Sequence, residues 1–408
     1  MRLKNKKITN CLLCNNKKLK KIYSLGNLFV SNFVNKSLIK KNIKCTLTLM
    51  FCNKCALLQL SHIAPQELMY KRFYWYRSGV TETMKKGLKD IFNEVNSIVK
   101  LTKNDVVLDI GANDGTLLNF FKKKCKTIGC EPANNLISNL KKNCNYVMHD
   151  FWSKESAIKL IEKKKLPKPK VVTAIGMFYD LENPNKFIRD AADILDDNGI
   201  FVAQLMCLKS MLKQNDVGNI CHEHLEFYSL KSLKYLFENN GLEIFKIEEN
   251  DINGGSFRIF CRKFKNGSIK LKEPDVLNSI NKFVKRIKKN KDLTMKFIRN
   301  IKKNKKKIFL YAASTKGNTV LQYYGLTNKD IPYASERSPE KWGKYTIGTG
   351  IKIISEEKAR SMSPDYFFIT PWGFVKEFVK RESAWLKNNG TFIVPFPKFH
   401  LINKYEKL

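Results

Sequence analysis

With 408 residues, 43% of them hydrophobic and 12% aromatic, the chain is long enough for two or three separate cores and too apolar for an intrinsically disordered protein. Its 75 Lys and Arg against 37 Asp and Glu give a formal charge of +38, which raises a nucleic-acid partner. The lysines are spread along the whole chain, however, so the charge reads as compositional drift rather than as a binding tract.

No opening stretch has the order of a secretory signal, and no apolar run reaches the ~18–20 residues that cross a bilayer. Eleven cysteines, four of them in paired spacings, suit a reducing compartment with a metal site. The expectation is a cytoplasmic protein with no membrane partner.

Residues 1–68 read as a zinc module. Cys11-Leu-Leu-Cys14 and Cys52-Asn-Lys-Cys55 can each place two thiolates on a tight turn, and two turns complete a tetrahedral S4 site. The short strands between them are too small to bury a core alone, so a structural Zn²⁺ would supply folding energy. Four thiolates leave no open position, which excludes a catalytic role for that metal. Cys45 falls outside the spacing and reads as an apolar filler.

Residues 69–262 read as a nucleotide-type α/β domain. An aromatic run (Tyr70, Phe73, Tyr74, Trp75, Tyr76) leads through Arg77-Ser78-Gly79 into a helix with apolar positions at Met84, Leu88, Ile91, Val95 and Ile98. Then Val106-Val-Leu-Asp109-Ile-Gly111-Ala-Asn113-Asp114-Gly115-Thr116 carries a buried strand through a Gly-rich turn into a helix. The turn is not GxGxxG, and Asp114 would repel a pyrophosphate but suit the cationic end of S-adenosylmethionine (SAM). The next strand ends at Glu131, placed for ribose hydroxyls, and the one after at Asp150-Phe151, placed for adenine. A fourth ends at Met177-Phe-Tyr-Asp180.

After a fifth strand comes Cys221-His222-Glu223-His224-Leu-Glu226-Phe-Tyr228. Two of the chain's five histidines sit here among carboxylates, a thiol and a phenol. The spacing is not the i, i+4 pair of a zinc protease, because position 226 is Glu. Gly254-Gly255-Ser256 then turns into a last strand.

Residues 263–408 read as a second Rossmann-like unit behind a basic helical connector, 263–307. The turn Ser314-Thr315-Lys316-Gly317-Asn318 follows an apolar strand and opens a helix. Hydroxyls, a lysine and free amides at a helix N-terminus suit an anion; helix capping alone is the plainer reading.

Together these motifs resemble the SAM-dependent sugar C-methyltransferases that act on nucleotide-linked keto-deoxysugars. The resemblance spans nearly the full length: both CxxC pairs, Tyr76-Arg77-Ser78, Asp109–Thr116, His222-Glu223-His224 with Tyr228, Gly254-Gly255-Ser256, the Ser314–Asn318 turn, and Pro371-Trp372. It implies a class I (Rossmann-like) α/β methyltransferase domain between a zinc module and a C-terminal Rossmann-like domain. SAM would be held by Asp109, Gly111, Asn113, Asp114, Gly115, Glu131, Asp150, Phe151 and Met177. The nucleotide sugar would meet Asp180, Cys221, Tyr228, Ser314 to Asn318, Glu336, Arg337 and Trp372. Family members carry a Tyr at the position of Cys221 and a His at that of Asp180, so the sugar or the grip on its ketone is expected to differ.

The chemistry needs a base near neutral pKa to take a proton from carbon next to a ketone. The resemblance assigns that role to His224. Glu223 would orient it or hold a hydroxyl, and Tyr76 or His222 would donate to the enolate oxygen. The alternative, from the charge and the zinc module, is a nucleic-acid-directed methyltransferase or binding protein; no Asn-Pro-Pro-Tyr motif supports it.

Overall fold

The two CxxC pairs close as matching turns. Asn15 and Ala56, one residue past each pair, adopt left-handed backbones with φ of 54° and 59°. Their amides return to the Cys11 and Cys52 carbonyls at 3.0 and 2.9 Å. The computed structural model describes residues 5–71, 74–270 and 272–405; Phe73 of the aromatic run lies outside them. Between the turns run β1 (Leu19–Phe29), the short β2 (Phe33–Val34) and β3 (Lys44–Cys52), with β4 (Leu58–Leu60) after the second pair. β1, β3 and β4 pair antiparallel. Alternate residues of β3 (Cys45, Leu47, Leu49, Phe51) are buried, the period-2 signature of a half-covered strand.

The middle domain begins with α1 (Glu82–Ile98), which buries Met84, Leu88, Ile91 and Val95. Next come β5 (Val106–Ile110), α2 (Thr116–Phe121), β6 (Lys126–Cys130), β7 (Tyr146–Met148), β8 (Val171–Ile175) and β9 (Ile200–Met206). The two-residue β10 (Glu226–Phe227) leaves this sheet, and β11 (Leu242–Asn250) and β12 (Ser256–Lys263) complete it. The order is β11-β12-β9-β8-β5-β6-β7, parallel from β9 to β7 with β12 antiparallel on β9. All residues of β5 and β9 are buried, as expected where helices cover both faces. The chain runs outward from β5 to β7 and then crosses back to β8. The C-terminal ends of β5 and β8 therefore border the crevice where such sheets bind ligands.

The basic segment forms a single helix, α3 (Val276–Lys303), whose apolar stripe includes the buried Ile280, Phe283, Ile287, Ile298 and Ile301. The last sheet contains β13 (Ile308–Tyr311), β14 (Tyr333–Glu336), β15 (Tyr345–Thr346), β16 (Lys352–Ser355), β17 (Tyr366–Ile369), β18 (Thr391–Val394) and β19 (His400–Ile402). Helix α4 (Thr315–Tyr324) follows β13. The order is β19-β18-β17-β13-β14-β16-β15-β2, so the zinc module supplies an edge strand here.

The zinc module is joined to the middle domain as well. β10, immediately after the His-Glu-His stretch, pairs antiparallel with β4. Asn185 donates to the carbonyls of Leu12 and Leu13 within the first CxxC turn, both at 3.0 Å. No helix among the described residues is long and apolar enough to cross a membrane.

Candidate active site

A cavity of about 610 Å³ opens at the ends of β5, β6, β8 and β9 and runs to the 221–225 loop and the start of α4. That is within the usual range for a small-molecule site. Its donor end is built by the Gly-rich turn. Gly111 has φ +74°, and a Cβ there would lie 2.7 Å from Met177 Cγ, so any other residue would close the turn on the cavity. Glu131 accepts from the amides of Asn113 and Ala133, both at 2.9 Å. Its carboxyl pKa is nevertheless raised, because burial outweighs those bonds. Burial likewise lifts Asp109 to about 7, although Thr173 donates to it at 2.6 Å. Asp109, Gly111, Asn113, Glu131, Phe151 and Met177 all line the cavity.

Three expected cofactor residues, Asp114, Gly115 and Asp150, are turned to other work. Asp114 accepts from Gly79 N at 2.7 Å and from Thr116 N and Oγ1 at 3.1 and 2.6 Å; it caps α2 and ties down the Ser78-Gly79 segment. Gly115 is the left-handed residue before that helix. Asp150 is exposed, bonded to the Phe151 amide at 2.9 Å and facing Lys71 at 3.7 Å. The wall beside Phe151 is Trp152 instead, which no sequence pattern marked. Its indole Nε1 is buried without a partner among the described residues, the kind of orphan donor a bound heterocycle can satisfy. Acid, glycine turn and aromatic wall fit SAM.

The acceptor end is built on the 221–225 loop. His224 Nδ1 lies 2.8 Å from the Asn219 carbonyl. A carbonyl can only accept, so Nδ1 carries the proton and Nε2 carries the lone pair. The Tyr179 ring packs edge-on against the imidazole, with centroids 4.6 Å apart. Burial, then the charge of Lys316, push the His224 pKa well below its ordinary value, with the Asn219 carbonyl opposing. The ring is neutral at neutral pH.

Tyr76, Asp180, Glu223, Thr315 and Lys316 share this cavity. Thr315 donates to Glu223 Oε2 at 3.2 Å. Asp180 Oδ1 is buried with no hydrogen-bond partner among the described residues; burial and then the charge of Glu223 raise its pKa well above the ordinary carboxyl range, with Lys316 and Tyr70 opposing.

Other expected residues lie elsewhere. His222 is 2% exposed and bonds through Nε2 to the Cys45 carbonyl at 3.0 Å, so it fastens the loop to the zinc module and does not reach an enolate. Cys221 is buried beside the site without lining the cavity, its Sγ 3.8 Å from Glu223 Oε2 and within 4.8 Å of a ring nitrogen of His224. Tyr228 is fully buried and stacked on Phe178 at 5.3 Å; it is core, not a sugar contact. Ser314 caps α4 by accepting from Gly317 N at 2.9 Å. Gly317 is there because a Cβ would meet Thr370 Oγ1 at 2.2 Å. Asn318 is buried against Thr349. Glu336 accepts from the Ala313 and Ser338 amides, both at 2.9 Å. Arg337 is exposed and near Glu377 at 3.5 Å. Trp372 covers the Gly254 backbone, 2.9 Å from where a Cβ would sit. Of the Ser314–Asn318 turn, only Thr315 and Lys316 line the main cavity.

Cys11, Cys14, Cys52 and Cys55 bring their sulfurs within 4.8 Å of one another. The Cys11–Cys55 and Cys14–Cys52 separations are 3.4 and 3.5 Å. Those values are too long for disulfides and close to the ~3.8 Å edge of a tetrahedron with Zn–S bonds of ~2.3 Å. The set fits a structural zinc. Gln59 braces it, accepting from Leu12 N at 2.9 Å and donating to Asn10 O at 3.2 Å.

Comparison with known proteins matches the three parts separately. A family described as "Putative zinc binding domain" matches residues 11–70, "Methyltransferase domain" matches 76–247, and "C-methyltransferase C-terminal domain" matches 251–397. The C-methyltransferase NovU of Streptomyces niveus is 25% identical over 373 residues, covering 88% of this chain and 87% of its own. Among solved structures, magnesium protoporphyrin IX methyltransferase from Synechocystis PCC 6803 with bound SAM is 10% identical. It covers 44% of this chain and 79% of its own, with a TM-score of 0.33. The CcbJ methyltransferase of Streptomyces caelestis is 14% identical and covers 44% and 89%, also with a TM-score of 0.33.

Proposed function

The chain is a SAM-dependent C-methyltransferase with an N-terminal zinc module, and we propose that it methylates the carbon next to the ketone of a nucleotide-linked keto-deoxysugar. Carbon C-3 of a 4-keto-6-deoxyhexose is the acceptor that the resemblance to the sugar C-methyltransferases implies. The observation that carries this reading is the pairing of His224 Nδ1 with the Asn219 carbonyl, which aims a neutral imidazole's lone pair into the cavity that Glu131 and Gly111 line.

Glu131, Asp109, Gly111 and Asn113 would hold the cofactor, with Phe151 and Trp152 beside its base. When bound, SAM supplies a methyl group on a sulfonium sulfur. The chain's own part is to make the carbon nucleophile. His224 Nε2 takes the proton next to the ketone, and the C–H electron pair passes toward the carbonyl as an enolate. Tyr76, on the cavity rim, is placed to donate to the acceptor. Glu223 and Asp180 would hold sugar hydroxyls. Excluding water from this end strengthens each of these interactions and guards the carbanion.

Thr315 and Lys316 extend the acceptor site onto the C-terminal domain, where a nucleotide would bind. Purified protein incubated with SAM and a panel of TDP-, GDP-, CDP- and UDP-linked 4-keto-6-deoxyhexoses tests the reading by mass spectrometry. One added methyl on a ring carbon supports it. Methyl transfer to oxygen or nitrogen, or none across the panel, contradicts it.

A further inference from the structure

Asn219 serves two side chains at once. It closes a single turn, Val217–Asn219, and is 3% exposed. Its carbonyl accepts from His224 Nδ1 at 2.8 Å, and its side-chain Oδ1 accepts from Lys316 Nζ at 2.7 Å. Its Nδ2 donates to Asp216 Oδ2 at 3.1 Å. That last bond decides which way the amide faces, because a carboxylate can only accept. The oxygen is therefore turned toward Lys316.

Lys316 reaches this spot from a different domain, at the second residue of α4. Its Nζ touches Asn219 Oδ1 and, at 3.8 Å, Met206 Sδ, and among the described residues it forms no ion pair. Asp180, Asp216 and Glu223 lie within electrostatic range of the ammonium, but its direct contacts are a neutral amide and a thioether, so it can still face an anion that arises in the cavity.

We propose that Lys316 is a catalytic residue that supplies the counter-charge to the enolate oxygen, and that Asn219 is the positioning residue that holds it beside His224. The proposal rests on the reading that carbon next to a ketone is deprotonated. The proton leaves carbon for His224 Nε2. The C–H pair becomes the enolate double bond, and the carbonyl pair moves to oxygen, opposite the ammonium. The pair would return to restore the ketone as the carbon bonds to the methyl that bound SAM would supply, the methyl–sulfur bond breaking with its pair left on sulfur. Nothing is oxidised or reduced overall.

The test is solvent-deuterium exchange into the keto-sugar that wild type methylates, followed at saturating acceptor and as a function of its concentration. Lys316→Met is expected to lower the exchange kcat by about 100- to 1,000-fold, with KM within about threefold and SAM affinity unchanged. In Lys316→Ala, added ethylammonium is expected to restore exchange by at least about tenfold, with no effect on wild type. Asn219→Ala is expected to lower kcat by a smaller factor in the same KM-independent way.

A raised KM with normal kcat in Lys316→Met would overturn the proposal in favour of phosphate binding. Loss of SAM affinity, or absence of rescue by ethylammonium, would overturn it in favour of a structural role. Failure of wild type to exchange deuterium into any keto-sugar would instead overturn the reading on which it rests.

Discussion

Leu60 of the zinc module donates its amide to the Leu225 carbonyl, one residue past His224, at 2.9 Å. The same loop is held by His222 against the Cys45 carbonyl and by the Tyr70 hydroxyl against the Glu223 carbonyl at 2.8 Å. All three bonds come from segments within or just beyond the zinc module. The zinc module thereby sets the backbone that presents the proposed base, His224.

Zinc removal is expected to abolish methyl transfer more completely than cofactor binding. A structural zinc contributes on the order of 10–16 kcal/mol of apparent binding energy to its fold. Cys52→Ser, or prolonged chelation, is expected to lower the melting temperature and the zinc content together. SAM affinity, carried by the middle sheet, is expected to change only a few-fold. Full activity in zinc-free protein would contradict this.

The two histidines of the loop are expected to behave differently. His222→Leu leaves the buried Cys45 carbonyl without its partner, which costs about 1–3 kcal/mol, and reduces activity only in proportion to folded protein. Burial lowers the His222 pKa to about 4, so its contribution to stability is full above its unfolded value near 6.5. That contribution is lost as pH falls through about 4. Denaturant titrations of wild type and variant at neutral and acid pH read both effects. Abolished chemistry in a well-folded His222→Leu protein would contradict the assignment.

The acid limb of the rate profile follows His224. Because its pKa is pushed well below the ordinary imidazole value, the base stays deprotonated where a free histidine would be half protonated. At saturating acceptor, kcat is expected to stay level as pH drops through 6.5, roughly the unperturbed value, and to fall only further into acid. A half-maximal rate near the ordinary imidazole pKa would argue against a buried, neutral base.

Asp109 gives a stability signature of opposite sign. Its pKa is raised to about 7 by burial, so the folded state holds a proton that the unfolded state releases near 3.8. Stability is therefore present at low pH and lost as pH rises toward about 7. Asp109→Asn removes that dependence. The variant is expected to gain melting temperature relative to wild type at pH ~8 more than at pH ~5, measured without cofactor.

Much of the architecture could be read from local pattern. The CxxC spacing, the continuous apolar run Val106–Leu108 before Gly111, and the acid Glu131 ending the next strand each carry their own signature. The site was less legible where it depends on contacts between distant segments. Residue type alone does not separate His222 from His224, and the resemblance alone favoured His224; the Cys45 carbonyl and the Asn219 carbonyl, 177 and 5 residues away, give the two rings different settings, one an anchor and the other the proposed base. Asp114 looked like a ligand group because its spacing from Asp109 suits one, but its carboxylate was already committed to Gly79 and Thr116. Asn219 and Trp152 had no signal at all. Asn219 matters through a backbone carbonyl and a lysine from another domain, and neither leaves a trace in the local pattern.

Solvent-deuterium exchange with S-adenosylhomocysteine in place of SAM isolates the proposed transfer of a proton from carbon to His224 Nε2. Wild type is predicted to incorporate one deuterium at a single ring carbon next to the ketone. His224→Asn is predicted to incorporate none while binding S-adenosylhomocysteine within a few-fold of wild type. Exchange by the His224→Asn protein at the wild-type rate would contradict the account.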